Sequence, residues 1–254
     1  MKYTLITGAS SGIGFEFAKI FARKKHNLVL VARRKEVLLK LKKDLEAKYK
    51  ISVIVIAKDL SNLNSLLEIR KELKDVKIDV LVNNAGFGDK CLFEKADTKK
   101  IEDMINLNVT SLTILTKLFV NDLIKFKGSI LNVASVAAFQ PGPLMSVYFA
   151  TKAYVLNFSE SLSEELKGRV KVSCLCPGPT RTEFDKVANT KFSGNIPTAK
   201  EVAVYGVKCL EDGKVVAVHS IMFKILVQLN RLLPRSLIRK LGYKINKSLW
   251  NNHP

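Results

Sequence analysis

The chain has 254 residues, 47% of them hydrophobic and 26% charged, with a formal net charge of +19. That length and apolar content suit one large α/β domain with a sizeable core. Four cysteines (Cys91, Cys174, Cys176, Cys209) without a Cys-x-x-Cys pair, and three scattered histidines (His26, His219, His253), argue against a disulfide framework or a zinc site and for reduced thiols.

The charge surplus is mostly lysine on predicted helices, such as Lys40, Lys42, Lys43, Lys48 and Lys50, which is the composition of solvated helix faces. No nucleic-acid-binding motif accompanies it. The first residues, Met-Lys-Tyr-Thr-Leu-Ile-Thr-Gly, lack the apolar core of a signal peptide, and no run reaches the roughly 20 apolar residues of a membrane span. A cytoplasmic protein is expected.

In chain order, Tyr3 to Thr7 reads as an apolar strand. Gly8-Ala9-Ser10-Ser11-Gly12-Ile13-Gly14 follows, and then a helix with Ile13, Phe17, Ile20 and Phe21 on one stripe. Strand, glycine-rich turn and helix N-terminus together make a pyrophosphate site, with Ser10 and Ser11 as added hydroxyl donors. The absence of Gly-Lys-Ser/Thr argues against a nucleoside triphosphate loop. A second strand, Asn27 to Ala32, ends in Arg33-Arg34 instead of the acid that holds a ribose 2′-hydroxyl, so a 2′-phosphate and NADP(H) are favoured over NAD(H). The alternative is an arginine that only covers the next helix, which carries Val37, Leu38, Leu41 and Leu45.

Ile51 to Ala57 is a third strand, apolar as a central parallel strand is. Asp59-Leu60 ends it: Asp59 is either an acceptor for the adenine amino group or a turn aspartate. Ser61 is the expected N-cap of a helix bearing Leu63, Leu66 and Leu67. Ile78 to Val82 is a fourth strand, followed by Asn83-Asn84-Ala85-Gly86. Residues 97–126 are expected to form two consecutive helices. Asn108 lies among their apolar residues, where a buried amide needs a water, a backbone partner or a proton-relay role.

Gly128 to Ala134 is a fifth strand leading to Ser135, whose hydroxyl can polarise a substrate oxygen. A helix then runs to Lys167 with Val155, Ser159, Leu162 and Leu166 on one stripe, and Gly168 stands where a left-handed cap is cheap. Tyr148 and Lys152 are four apart and share a face of this helix. An ammonium there is expected to lower the phenol below its free value of about 10. Val170 to Cys176 is a sixth strand that places Cys174 and Cys176 on one face. Residues 183–197 read as an irregular flap over a cleft, Thr198 as the cap of a helix with Val202, Tyr205 and Leu210, and Lys214 to His219 as a seventh strand.

The alternation of strands and helices implies a doubly wound three-layer α/β fold, one domain over 1–254, with a seven-stranded parallel sheet. The tail, 221–254, has seven Lys/Arg and no Asp or Glu. It reads as an apolar helix, Ile221 to Leu233, and a basic amphipathic one, Arg235 to Leu249, split by Pro234. Contact with an anionic membrane, packing over the cleft and a subunit contact are its three candidate uses.

The motifs Thr7-Gly8-x-x-x-Gly12-x-Gly14, Asp59-Leu60, Asn83-Asn84-Ala85-Gly86, Asn108, Ser135, Tyr148-x-x-x-Lys152 and Pro177-Gly178 with Thr182 resemble the short-chain dehydrogenase/reductase (SDR) family over roughly residues 3–219. With Arg33-Arg34 and the basic tail, the chain is similar to an NADP-preferring bacterial subgroup of general oxidoreductases. The resemblance implies hydride transfer at a carbonyl or alcohol carbon, with a non-catalytic dinucleotide sensor or scaffold of the same fold as the alternative. It implies a homo-oligomer, dimer or tetramer. It makes Tyr148 the acid/base, Ser135 a donor to the substrate oxygen, and Lys152 the partner of the nicotinamide ribose that lowers the Tyr148 pKa. Asn108 would anchor a relay water. The implied cofactor set is Gly8, Ser10, Ser11, Gly12, Ile13, Gly14, Arg33, Arg34, Asp59, Leu60, Asn84, Ala85, Gly86, Tyr148, Lys152, Pro177, Gly178, Thr180 and Thr182. The apolar and small residues of 136–146 and 183–197 point to a partly hydrophobic ketone.

Overall fold

The computed structural model describes residues 1–190 and 196–248. Residues 191–195 of the expected flap and 249–254 of the tail lie outside that range. The strands are β1 (Lys2–Thr7), β2 (Asn27–Ala32), β3 (Val53–Ala57), β4 (Lys77–Asn83), β5 (Ser129–Val133), β6 (Lys171–Cys176) and β7 (Val216–Val218). They form one sheet in the order β3-β2-β1-β4-β5-β6-β7, and every pairing is parallel.

Parallel strands need crossover helices, and these bury both faces of the sheet. Successive residues of β2 show it: Leu28 and Leu30 pack on one side, Val29 and Val31 on the other. The first side is covered by α1 (Gly12–Arg23), α2 (Lys35–Tyr49) and α8 (Ala199–Glu211), through Phe17, Leu38, Leu41 and Val202. The second is covered by α3 (Leu63–Glu72), α5 (Leu112–Phe126) and α6 (Ser146–Glu165), through Leu66, Ile69, Phe119 and Leu162. Residues such as Phe17 and Phe119 are fully buried, and truncating either to Ala costs about 3–5 kcal/mol.

The local rules hold in most places and fail in a few. Thr198 and Glu201 form a reciprocal capping box at the start of α8, and Gly168 turns left-handed just beyond α6. The N-cap of α3 is Asn62, whose side chain accepts from the Asn64 N–H. Ser61, expected in that role, instead donates to Asp59 from both its backbone and its hydroxyl. Leu63 and Leu67 are exposed, because α3 turns Leu66 and Ile69 to the sheet. The expected helix pair over 97–126 is one continuous helix: α4 (Thr98–Ile105) passes through a π-helical turn, Asn106–Ser111, into α5. At 29 residues, Thr98–Phe126 is long and apolar enough to cross a membrane, contrary to the expectation that no segment is. Its Leu115, Phe119 and Leu123 are packed into the core.

Strand order reverses between β1 and β4: β2 and β3 lie to one side, β5, β6 and β7 to the other. Ligands of open parallel sheets bind outside the carboxyl ends of the strands at such a point. The glycine-rich turn follows β1, Asn84-Ala85-Gly86 follows β4 and Ser135 follows β5, so the fold brings three distant segments to that edge.

Candidate active site

The turn after β1 is shaped by backbone demands. Gly8 and Gly12 have φ of +68° and +54°, a region that side chains disfavour. A Cβ on Gly14 would collide with the Gly8 carbonyl oxygen. Asn84 Nδ2 donates to Thr7 O (3.0 Å) and Gly8 O (3.4 Å), and the N–H groups of Asn84 and Ala85 both donate to Thr7 Oγ1. Asn84 and Ala85 therefore staple the turn to β4. Ser11 is the N-cap of α1 and makes no side-chain capping bond, and no acid sits in the first turn. The first amides of α1, with Ser11 and Ile13 beside them, can thus face an anion.

Arg34 Nε donates to Ser10 Oγ and Arg34 Nη2 to Ser10 O, both at 3.1 Å. Arg33 is exposed and lies 3.7 Å from Asp59. Partial burial raises the Asp59 pKa, but the Ser61 hydrogen bonds and the Arg33 cation lower it overall. Asp59 is thus tied into the turn by Ser61 and paired with Arg33. The Leu60 side chain is buried in the core with Val31, Ile56 and Leu66. Thr182 lays its methyl against Gly12, and its hydroxyl accepts from Phe184 N–H (3.1 Å). Thr180 donates to Gly178 O (2.9 Å). The face of Gly178 is filled by the Phe223 ring, so this glycine serves packing as well as the turn. A left-handed glycine turn at a bare helix N-terminus fits the diphosphate of a nicotinamide dinucleotide, and two guanidiniums stand at the end of β2.

Ser135, Tyr148 and Lys152 converge as expected. Tyr148 is 8% exposed and Lys152 5%. The Ser135 hydroxyl accepts from Ala137 N–H (3.1 Å) and donates to Pro177 O (3.4 Å), so Pro177 positions the serine. Lys152 Nζ donates to Val133 O (2.9 Å) and lies 5.8 Å from the centre of the Tyr148 ring. Burial pushes the Tyr148 phenol up to about 12, opposed by the Ser135 hydroxyl. Burial also pulls Lys152 down to about 8, opposed by the thiols of Cys174 and Cys176. This corrects the expectation that the lysine makes the phenol acidic in the free protein. The ammonium sits over the ring and is engaged by a strand carbonyl, and desolvation of the phenolate is the largest influence on the phenol.

Asn108 is engaged through its side chain. Its side chain is 1% exposed. Its Oδ1 accepts from Phe87 N–H (3.1 Å), and its Nδ2 donates to Phe87 O (2.9 Å) and Thr151 Oγ1 (3.0 Å). Of the alternatives open in the sequence, the backbone partner is realised, and the side chain clamps the segment after Gly86. Gly86 keeps room for this group: a Cβ there would meet Asn108 Oδ1 and Lys152 Nζ.

Several residues at the site carry no motif. Phe184 opens a short helix, α7 (Phe184–Val187), inside the expected flap. Its ring centre lies 5.4 Å from that of Tyr148, and Met145 and Ala188 complete the cover. Phe87 and Gly88 line the same place, Gly88 touching both Tyr148 and Phe184. Only their sequence proximity to Gly86 and Thr182 pointed to them.

A short chain dehydrogenase family model matches residues 2–195. The chain is 31% identical over 261 residues to the very-long-chain 3-oxoacyl-CoA reductase of Rattus norvegicus, covering 99% of this chain and 82% of that protein. It superposes on a short-chain dehydrogenase from Sphingobium yanoikuyae in complex with NADPH, at a TM-score of 0.83 and 34% identity, covering 87% of this chain and 89% of the other. A bulky-bulky ketone specific alcohol dehydrogenase from Comamonas testosteroni superposes at a TM-score of 0.79 and 32% identity, covering 91% and 92%.

Proposed function

Because the chain belongs to the short-chain dehydrogenase family, and is thus an oxidoreductase of the SDR type, we propose that it reduces a hydrophobic ketone with NADPH. The observation that carries the reading is the convergence of Ser135, Tyr148 and Lys152 beside the glycine turn. The family's relatives supply a substrate class to try first, a long-chain 3-oxoacyl thioester, with bulky ketones next. The apolar cover of Phe184, Met145 and Phe87 suits an acyl chain better than a sugar.

The residues divide the work by chemistry. Gly8, Gly12, Gly14 and Ser11 shape the anion site for the diphosphate, and Arg33 with Arg34 reads the 2′-phosphate. The bound cofactor supplies the hydride. Tyr148, neutral at physiological pH, gives its proton to the substrate oxygen, while Ser135 donates a hydrogen bond to the same oxygen and stabilises its developing charge, an effect of about 3 kcal/mol. Lys152, still charged below its pKa of about 8, stabilises the tyrosinate left behind. The buried setting strengthens that attraction once the phenolate exists.

The test is a screen of 3-oxoacyl-CoA chain lengths and bulky ketones by loss of NADPH absorbance, with Tyr148→Phe as control. Turnover in the natural chain and its loss in Tyr148→Phe, with NADPH affinity kept, supports the reading. No NADPH consumption on any substrate despite tight cofactor binding would favour a dinucleotide sensor. Arg33→Asp should weaken NADPH binding far more than NADH binding; equal effects would remove Arg33 from 2′-phosphate recognition.

A further inference from the structure

The helical tail, α9 (Ile221–Leu232) and α10 (Arg235–Ser248), is attached to the body through one side only. Phe223 fills the face of Gly178 and Val227 points inward. Asn230 Nδ2 donates to Gln140 Oε1 (2.6 Å) and Asn246 Nδ2 to Pro143 O (2.8 Å). On α9, Ile221, Ile225, Leu229 and Leu232 recur at helical spacing and are 74%, 57%, 48% and 81% exposed. On α10, Leu237, Leu241 and Ile245 form a second exposed stripe at a spacing of four. A monomeric soluble protein rarely presents so much contiguous apolar surface.

Cations accompany these stripes. Arg239, Lys240 and Lys244, with Tyr243 and Pro143, line a shallow hollow of about 380 Å³ on α10. The seven Lys/Arg of the tail have no acid among them.

We propose that α9 and α10 seat the protein on a lipid bilayer bearing anionic headgroups, the apolar stripes at the acyl boundary and the cations on the headgroup phosphates. Charge decides the occupant. A second copy docked through the same face would set cations against cations with no acid to meet them. A nucleic acid would match the charge and leave the aliphatic stripes in water. An anionic bilayer satisfies both features. The tail packs on Gln140, Pro143 and Gly178, which flank Ser135 and Tyr148, so docking turns that edge of the reaction site toward lipid. The proposal does not depend on the reaction assigned above.

The full chain should sediment with phosphatidylcholine–phosphatidylglycerol vesicles and stay in solution with phosphatidylcholine alone, and salt should weaken the binding. The exposed double substitution Leu229→Glu/Leu241→Glu should abolish sedimentation with the melting temperature unchanged. Lys240→Ala should weaken it about fivefold. Absence of sedimentation with both vesicle types overturns the proposal, as does undiminished sedimentation of the double variant. If wild-type protein ignores vesicles but light scattering finds a dimer that the double variant breaks, the face is a self-association surface and the lipid assignment is wrong. NADPH turnover on a soluble ketone is read separately, so loss of the reductase reading leaves this result standing.

Discussion

Arg34 Nη1 lies 3.0 Å from Glu183 Oε2, joining the residue that rests on the phosphate turn to the first residue of the segment that covers Tyr148. The guanidinium holds Ser10 at the same time. If Arg34 reads a 2′-phosphate as proposed, an incoming NADPH meets an arginine already paired with a carboxylate. Both partners are about half exposed, so the pair is worth no more than about 1 kcal/mol. Glu183→Gln should tighten NADPH binding by roughly two- to fivefold and leave NADH binding unchanged. Fluorescence titration with both cofactors measures this; equal changes would place Glu183 outside 2′-phosphate recognition.

Lys152 titrates at about 8 when folded against 10.5 when free. Between those values the unfolded chain holds a proton that the folded chain has released, so stability rises with pH across that window, by up to about 1.4 kcal/mol per unit. Tyr148, at about 12 against 10.0, opposes this above pH 10, because the folded state then keeps the proton. Urea melts over the lower window should show the rise in wild-type protein and not in Lys152→Met. Reduction should fall through the same pH near 8, as the cation that stabilises tyrosinate is lost. A rate independent of pH up to 10 would contradict the role given to Lys152.

Phe184 packs against Tyr148, whose high pKa comes from burial. Phe184→Ala should admit water to the phenol and bring its pKa back toward 10, visible as tyrosinate absorbance at lower pH. The same substitution should raise KM for long-chain substrates more than for short ones, since the lost ring is apolar contact area. Unchanged tyrosine titration would mean that Met145 and Ala188 alone keep the site dry.

Asn108 holds the Phe87 backbone at both its N–H and its C=O. Asn108→Ala leaves these buried groups and the Thr151 hydroxyl short of partners, and each such loss costs about 1–3 kcal/mol. Urea denaturation should show a large loss of stability. Asn108→Asp, which keeps the acceptor for Phe87 N–H and loses the donor, should fall in between if the clamp is the role. A stable Asn108→Ala with lost turnover would instead support a relay function.

The arrangement of β1 to β7 could be read from sequence because each strand is a short apolar run between turn residues, and the pattern of local propensities agrees with the final sheet. Thr7-Gly8, Asn84, Ser135, Tyr148 and Lys152 were legible for a related reason: a phosphate turn or a four-residue helical pairing has a fixed local spacing. The energies of those groups were not legible. Whether Tyr148 is acidic depends on how much water its neighbours exclude, and Met145 reaches it from the start of its own helix while Phe184 and Ala188 reach it from the segment around α7. The engagement of Asn108 with Phe87, the burial of Leu60 and the Arg34–Glu183 pair likewise join positions far apart in the chain. Desolvation and packing are properties of neighbourhoods in space, so only the tertiary structure decided them, whereas spacing and periodicity act along the backbone and were already present in the sequence.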